Sequence, residues 1–292
     1  MPTALAKTCD RLSARTDRLD FATKYNTKYC IAHSLRDEQV RIATRKIKDR
    51  IEGAPEGTTR PEPIAIVGFG PSLKETWEKI KGFDYVLTSS GSHKFLLEKG
   101  LDPKAFKGWW HVEVDPREHK VELLGPPHPG IVYLPASTCH PKYLDHLAGQ
   151  QVKLWHVFSN EEEAMRILPR EEWAIFGGPD VGMRAMTIAR FLGFVDQHVF
   201  GIDGCVVDGK SHAAIHPKRV KRSLPVEYQG ATYQTTPALL ECAKAMPHEL
   251  DALPDVRATF YGSGLVQAIV KHRVPNPKKN ATIGIVKPEL IS

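Results

Sequence analysis

The stretch Ile64-Ala-Ile-Val-Gly-Phe-Gly-Pro-Ser-Leu73 decides the fold. A continuous apolar run of four residues is the pattern of a strand buried on both faces. It breaks at Gly68-Phe69-Gly70-Pro71-Ser72, and a helical pattern follows at once. Pro71 suits a first helical turn, and Ser72 is a residue that satisfies free amides at a helix start. A strand that turns on glycines into a helix aims unpaired N–H groups and a positive dipole end at one point. Such a junction is an expected anion site, usually for nucleotide phosphates. Gly68, Gly70, Pro71 and Ser72 are therefore its first candidate residues.

Working outward, further strand patterns occur at Tyr85–Ser90, Trp109–Asp115, Gly130–Pro135, Val152–Phe158, Trp173–Gly178, His198–Asp203 and Val256–Tyr261. Helical patterns lie between them at 74–81, 93–99, 181–192 and 265–270. Strands alternating with helices predict an α/β, Rossmann-like fold with a mainly parallel sheet and helices on both faces. Ligands of such sheets lie beyond the carboxyl ends of the strands. Ser89 and Ser90, Asp115, Gly177-Gly178 and Asp203 all fall on that edge if the strands hold, and they join the candidate residues.

Before the first strand, Ser34–Ile51 reads as a helix with Val40, Ala43, Ile47 and Ile51 on one stripe. The glycine- and proline-rich stretch 53–63 reads as a linker. The expected organisation is a basic helical region with its linker (1–60), a nucleotide-binding catalytic domain (61–275) and a tail (276–292). Of the net charge of +6 over 292 residues, 13 Lys/Arg against 8 Asp/Glu in residues 1–60 supply +5. The core is thus nearly neutral, and the basic segment reads first as a solvated helical face, with contact to a nucleic acid or an acidic partner as the alternative. No apolar run approaches the ~20 residues that span a bilayer. Five scattered cysteines without metal spacing, and a polar start carrying acids among its bases, lead to the expectation of a reduced, cytoplasmic setting. The tryptophans beside the strands read as core filling.

The chemistry-bearing groups fall in two clusters. In His111-Val-Glu-Val-Asp115-Pro-Arg-Glu-His119, period-two alternation places His111, Glu113 and Asp115 on one face. A carboxylate beside phosphates is a natural Mg²⁺ ligand, so Asp115 is the first metal candidate and Asp203 the second. In Gly201-Ile-Asp203-Gly-Cys205 and Asp208-Gly-Lys210-Ser-His212-Ala-Ala-Ile-His216-Pro-Lys-Arg219, Lys210, His212, His216, Lys218 and Arg219 offer donors to phosphate oxygens. Zinc is disfavoured there, because Pro217 bends His216 out of helical geometry and no third ligand is evident. Cys205 reads as a small buried hydrophobe. The dinucleotide fingerprint is incomplete, since Leu73 stands where its third glycine belongs, and the Walker lysine is absent.

At these residues the chain resembles the 6-hydroxymethylpterin diphosphokinase MptE-like family, which includes motility-accessory-factor (Maf) proteins. The resemblance rests on Gly68-Phe-Gly70-Pro-Ser-Leu, Glu113-Val-Asp115-Pro, Gly177-Gly178 before an apolar helix, and Gly201-Ile-Asp203 followed by Lys-Ser-His212-Ala. It covers about residues 60–270. The Gly-x-Gly-Pro-Ser-Leu start is also similar to that of bacterial sialyltransferases using a cytidine nucleotide sugar. The resemblance implies a nucleotide-binding core that transfers pyrophosphate from Mg-ATP to a small hydroxyl-bearing acceptor. Asp115, His119, Asp203 and His212 would be its catalytic groups. The chain departs from the pterin enzymes at Gly201-Ile-Asp203-Gly-Cys205, which lacks their acidic, arginine-containing run. The alternatives are a glycosyltransferase using a CMP- or UDP-sugar with His119, His212 or His216 as base, and a non-catalytic binding module.

Overall fold

The computed structural model describes residues 33–157, 172, 174–175, 177–214, 223–274 and 285–286. Residues 1–32 and most of the tail, together with Trp173, His216, Lys218 and Arg219, lie outside them.

The predicted alternation is realised. Seven strands form one parallel sheet: β1 (Ile64–Val67), β2 (Tyr85–Ser89), β3 (Gly108–Glu113), β4 (Val132–Pro135), β5 (Gln151–Val152), β7 (Asp196–Phe200) and β10 (Arg257–Tyr261). Their spatial order is β10-β7-β1-β2-β3-β4-β5. The chain thus walks outward from β1 to β5, then returns to the other side of β1 and continues as β7 and β10. The crevice between β1 and β7 is the topological switch point. Register aligns the strand ends: Val67 pairs with Phe200 and with Thr88, Ser89 with Val112, and Tyr261 with Phe200. Loops 68–72, 90–91, 114–119, 201–205 and 262–264 therefore leave the sheet at one edge.

Helices flank this sheet. The first, α1 (His33–Lys46), ends earlier than its apolar stripe, yet Val40, Ala43 and Ile51 are buried as that stripe requires. The short α2 (Leu73–Thr76) continues as a 3₁₀ turn over Trp77–Gly82. Next, α3 (Ser92–Glu98) closes on Gly100, whose φ of 82° suits glycine. Two short helices, α4 (Lys120–Leu124) and α5 (Pro141–His146), precede β5. The apolar α6 (Val181–Phe191) lies buried across β1, β2 and β3. Finally, α7 (Pro237–Ala252) pairs with α8 (Leu265–Lys271), which also contacts β10. The linker is docked rather than free: the Ala54 amide donates to Phe191 O at 2.8 Å, and that of Arg60 to Gly193 O at 2.7 Å.

Four expectations change. Val152–Phe158 yields only the two-residue β5 with isolated bridges at Leu154 and Trp155, and His198–Asp203 stops at Phe200. The pattern at Trp173–Gly178 yields only β6 (Ala174–Ile175), which pairs antiparallel with β11 (Ile285–Val286) outside the main sheet. Gly177-Gly178 therefore does not leave the edge that carries the other loops. Trp109–Asp115 stops at Glu113, so His111 and Glu113 share a strand face while Asp115 belongs to the following loop. A hairpin of β8 (Leu224–Tyr228) and β9 (Ala231–Thr235) is an addition, turning on Gln229-Gly230 with both φ positive. Trp109 and Trp155 fill the core as expected, each with its indole N–H bonded, to Thr88 Oγ1 and Leu134 O.

Candidate functional site

At the β1–β7 junction the amides expected to meet an anion are turned inward. Gly68 N donates to Phe200 O at 2.8 Å and Gly70 N to Gly201 O at 2.7 Å. Ser72 N donates to Asp203 Oδ2 at 2.9 Å, and Ser72 Oγ to Oδ1 at 2.5 Å. Gln267 Nε2 adds a donor to Oδ1 at 3.2 Å. Asp203 is therefore a clamp joining the β1 and β7 loops, 3% exposed, rather than an open ligand. Burial raises its carboxyl above the usual range, against the hydrogen bonds from Ser72 and Gln267. The glycines follow from this packing. A Cβ on Gly68 would sit 2.5 Å from Gly201 O, and one on Gly70 would run into the Asp203 carboxylate.

A different arrangement stands at the β2–β3 edge. Ser89 is spent locally: its amide donates to Ser92 Oγ at 3.1 Å, and its hydroxyl to Val67 O at 3.3 Å. Ser90 takes a left-handed backbone, φ 54°, and its Oγ lies 3.2 Å from Lys120 Nζ. That ammonium is 3.2 Å from Glu113 Oε2 and 3.5 Å from Asp115 Oδ2, with the side chain 8% exposed. Arg117 grips both oxygens of Asp115 through Nε at 2.7 and 2.9 Å and closes on Oδ2 through its terminal nitrogen. Burial pushes the Asp115 carboxyl up, but the Arg117 hydrogen bonds and the Lys120 and Arg117 charges outweigh it and hold it below its usual range. Burial would likewise lower Lys120, and Glu113 and Asp115 reverse it. His119 stands half-buried at the start of α4, outside the cleft.

Between these regions lies a cleft of about 150 Å³. It gathers Gly68, Gly70, Pro71, Ser89, Ser90, Asp203 and His212 from the predicted set. Ser72, Gly177, Gly178, Lys210, Asp115 and His119 are not among its lining residues. Gly177 and Gly178 instead permit close packing, since a Cβ on Gly178 would overlap Met183 and one on Gly177 would press on Arg184. Lys210 is exposed on a tight turn closed by paired backbone bonds with Val207, 2.9 Å each way. His212 rests against the Phe69 ring, centroids 5.4 Å apart, with Nδ1 2.9 Å from Ser211 Oγ. Phe69 also forms part of a neighbouring depression of about 470 Å³ beside Gly91, Phe95 and Leu123. Cys205 is buried, and burial pushes its thiol up to about 11, which fits an inert packing role.

Two contributors are not legible in the sequence patterns above. The N-terminus of α6 enters the cleft through Asp180, Val181 and Gly182. Asp180 caps the Met183 amide at 2.9 Å, while the first two helix amides have no intrahelical acceptor by position. The Asp180-to-Met183 spacing is a cap signal that could have found it. The other is Lys120, whose sequence context gives no sign that it turns back to Ser90.

The expected Mg²⁺ ligands do not fit that role in this arrangement. Asp203 accepts three hydrogen bonds, and Asp115 is held between two cations. Among the described residues no three His, Cys, Asp or Glu side chains converge as a metal site. No described helix is long and apolar enough to cross a membrane.

Fold and crevice define a protein of Rossmann-like architecture with a cleft at the switch point of its parallel sheet. The sequence matches the family described as 6-hydroxymethylpterin diphosphokinase MptE-like over residues 34–209, and the chain belongs to that family. No curated protein matches it. A solved structure of the MAf glycosyltransferase from Magnetospirillum magneticum AMB-1 superposes with a TM-score of 0.59 at 18% identity. The match covers 78% of this chain and 36% of that one, so the chain spans about a third of that protein's length. A mammalian sialyltransferase structure aligns at TM-score 0.39 and 13% identity, over 76% of this chain and 78% of its own. The family resemblance read from the glycine and aspartate motifs is thus borne out, as is the fold.

Proposed function

We propose that this chain is a nucleotide-dependent transferase that holds its nucleotide in the cleft between the β1 and β7 loops. The group moved is a diphosphoryl group, passed to a small hydroxyl-bearing acceptor. The observation that carries this reading is the position of the cleft. It opens at the switch point of a parallel sheet, where the β1, β2 and β7 loops meet the N-terminus of an eleven-residue helix. In phosphoryl transfer a protein acts chiefly by positioning and by neutralising charge. The Val181 and Gly182 amides and the α6 dipole supply partial positive charge, and Gly70-Pro71 and Ile202 supply walls. His212 lines the cleft as the group that can neutralise charge or shuttle a proton. The family's description supports diphosphokinase chemistry. Since Asp115 and Asp203 are already engaged, Mg²⁺ would enter on the nucleotide's own phosphates.

One observation favours a second reading, transfer of a sugar from a CMP- or UDP-sugar. His212, placed against Phe69 at the cleft, is a base that needs no metal partner.

Thermal-shift titration with ATP, GTP, CMP and UDP, each with and without Mg²⁺, separates these readings. Stabilisation by ATP supports diphosphoryl transfer. Stabilisation by CMP or UDP without metal, with indifference to ATP, supports glycosyl transfer. At 100 times Kd a ligand contributes about 2.7 kcal/mol, a shift of several degrees. No shift with any of the four at millimolar concentration overturns the nucleotide reading.

A further inference from the structure

We infer that Ser90, oriented by Lys120, is the side chain that reads the anionic phosphate group in the cleft. The inference rests on the cleft being the ligand site and specifies which chemistry recognises the charged end. An ammonium has three N–H donors and no acceptor. At Lys120 these face Ser90 Oγ, Glu113 Oε2 and Asp115 Oδ2, at 3.2, 3.2 and 3.5 Å. Neither carboxylate is free to rearrange: Glu113 Oε1 accepts the Val114 and Asp115 amides at 2.9 and 3.1 Å, and Arg117 holds Asp115. Ser90 Oγ must therefore accept from Lys120, which fixes the hydroxyl so that its own proton is directed to another partner. Among the described residues Ser90 Oγ makes no second hydrogen bond, and Ser90 lines the cleft.

The backbone points the same way. Ser90 is one of three non-glycine residues described with positive φ; all three precede a glycine in a turn, but Asp208 and Gln229 lie outside the cleft and Ser90 lines it. Strain of this kind persists where the surroundings enforce it, and it clusters at ligand sites. Glycine would occupy φ 54° without cost, so the serine is there for its hydroxyl. A hydroxyl polarised by a buried ammonium is a strong donor to an anionic oxygen. The cation stays behind it, shielded by two carboxylates and a guanidinium, so the pair selects hydrogen-bond geometry rather than bulk charge.

The test is calorimetric titration of inorganic pyrophosphate, ATP and adenosine into the wild-type chain, Ser90→Ala and Ser90→Gly, with unfolding temperatures for each. The expected result is a loss of about tenfold or more in pyrophosphate and ATP affinity in both variants, with adenosine unchanged. Ser90→Gly should keep a Tm at or above the wild-type value, which separates recognition from folding. Lys120→Met should weaken the same two ligands, and the double variant with Ser90→Ala should be no weaker than the poorer single. Equal affinities in wild type and Ser90 variants overturn the inference and leave the nucleotide reading standing. Loss of adenosine in parallel with ATP overturns it in the same way. Pyrophosphate binding that depends on Ser90, without binding of any nucleotide, supports the inference and removes the nucleotide reading. Wild-type indifference to every ligand overturns both.

Discussion

The β1–β7 junction and the β2–β3 edge flank one cleft, yet they use their polar groups in opposite ways. At the junction, Gly68, Gly70, Ser72 and Asp203 are satisfied within the protein, and the result is a rigid seam between two central strands. At the edge, Ser90 keeps a hydroxyl proton directed away from Lys120, backed by a four-charge cluster. The contrast teaches that a glycine-rich strand–helix turn can serve the scaffold while the residue beside it serves the ligand. Polar groups matched within the protein stabilise; a donor held at a strained backbone position recognises.

The strongest way to break this contrast is at Asp203. Asp203→Asn turns one of the two accepting oxygens into an NH₂ group facing either the Ser72 amide or Gln267 Nε2, and it should cost about 3 kcal/mol in urea unfolding. Gly70→Ala should cost about 2 kcal/mol by pushing its Cβ into the Asp203 carboxylate, with the Tm as the readout. Asp115→Asn removes the charge but keeps an oxygen that can still accept from Arg117, so it should cost less than Asp203→Asn, about 2 kcal/mol. If the two aspartate costs are equal, or reversed, the division into seam and reader fails.

Acid provides a further handle, in the core on the β2–β3 side. His93 and His111 are buried on the β2–β3 side, with rings 5.0 Å apart. Burial lowers His93 to about 4 and His111 well below the usual histidine range. Both fold as neutral rings, whereas the unfolded chain takes up protons below about pH 6.5. Stability should therefore be full above about pH 6.5 and decline as pH falls toward about 4. Glu172, whose carboxyl is held down to about 2 by His156 and Arg50 against the effect of burial, would add its own loss only below about pH 4.5. A flat urea midpoint between about pH 7 and 4.5 would contradict the histidine account. The smallest expected effect is at Lys210: Lys210→Ala should leave both Tm and nucleotide affinity unchanged, because the side chain is exposed and away from the cleft.

Those same residues mark how far the sequence can be read. The apolar run Ile64–Val67 identifies a central strand because burial on both faces leaves no polar alternative. Strand alternation then brings the β1, β2 and β7 loops to one edge. The helix α7 is hard to read although Thr236 and Pro237 mark its start, since Pro247 lies inside the pattern and argues against continuity. The β8–β9 hairpin is equally hidden, because Gln229-Gly230 is a weaker turn signal than Asn-Gly or Asp-Gly. In the site, residue identities are legible and partnerships are not. The strand expected to end on Asp203 stops at Phe200, and nothing local says that Ser72, 131 residues earlier, will cap the Asp203 carboxylate. Likewise, that Lys120 returns to Ser90 across the β2–β3 edge is a tertiary fact.

The most direct test of the central claim is a crystal structure of the chain grown with a saturating nucleoside diphosphate. The expected result is phosphate oxygens within hydrogen-bond distance of Ser90 Oγ and of the Val181 and Gly182 amides, with the Ser72–Asp203 clamp intact. Phosphate seated on the Gly68–Ser72 amides with that clamp broken, or a nucleotide bound elsewhere on the chain, would contradict it.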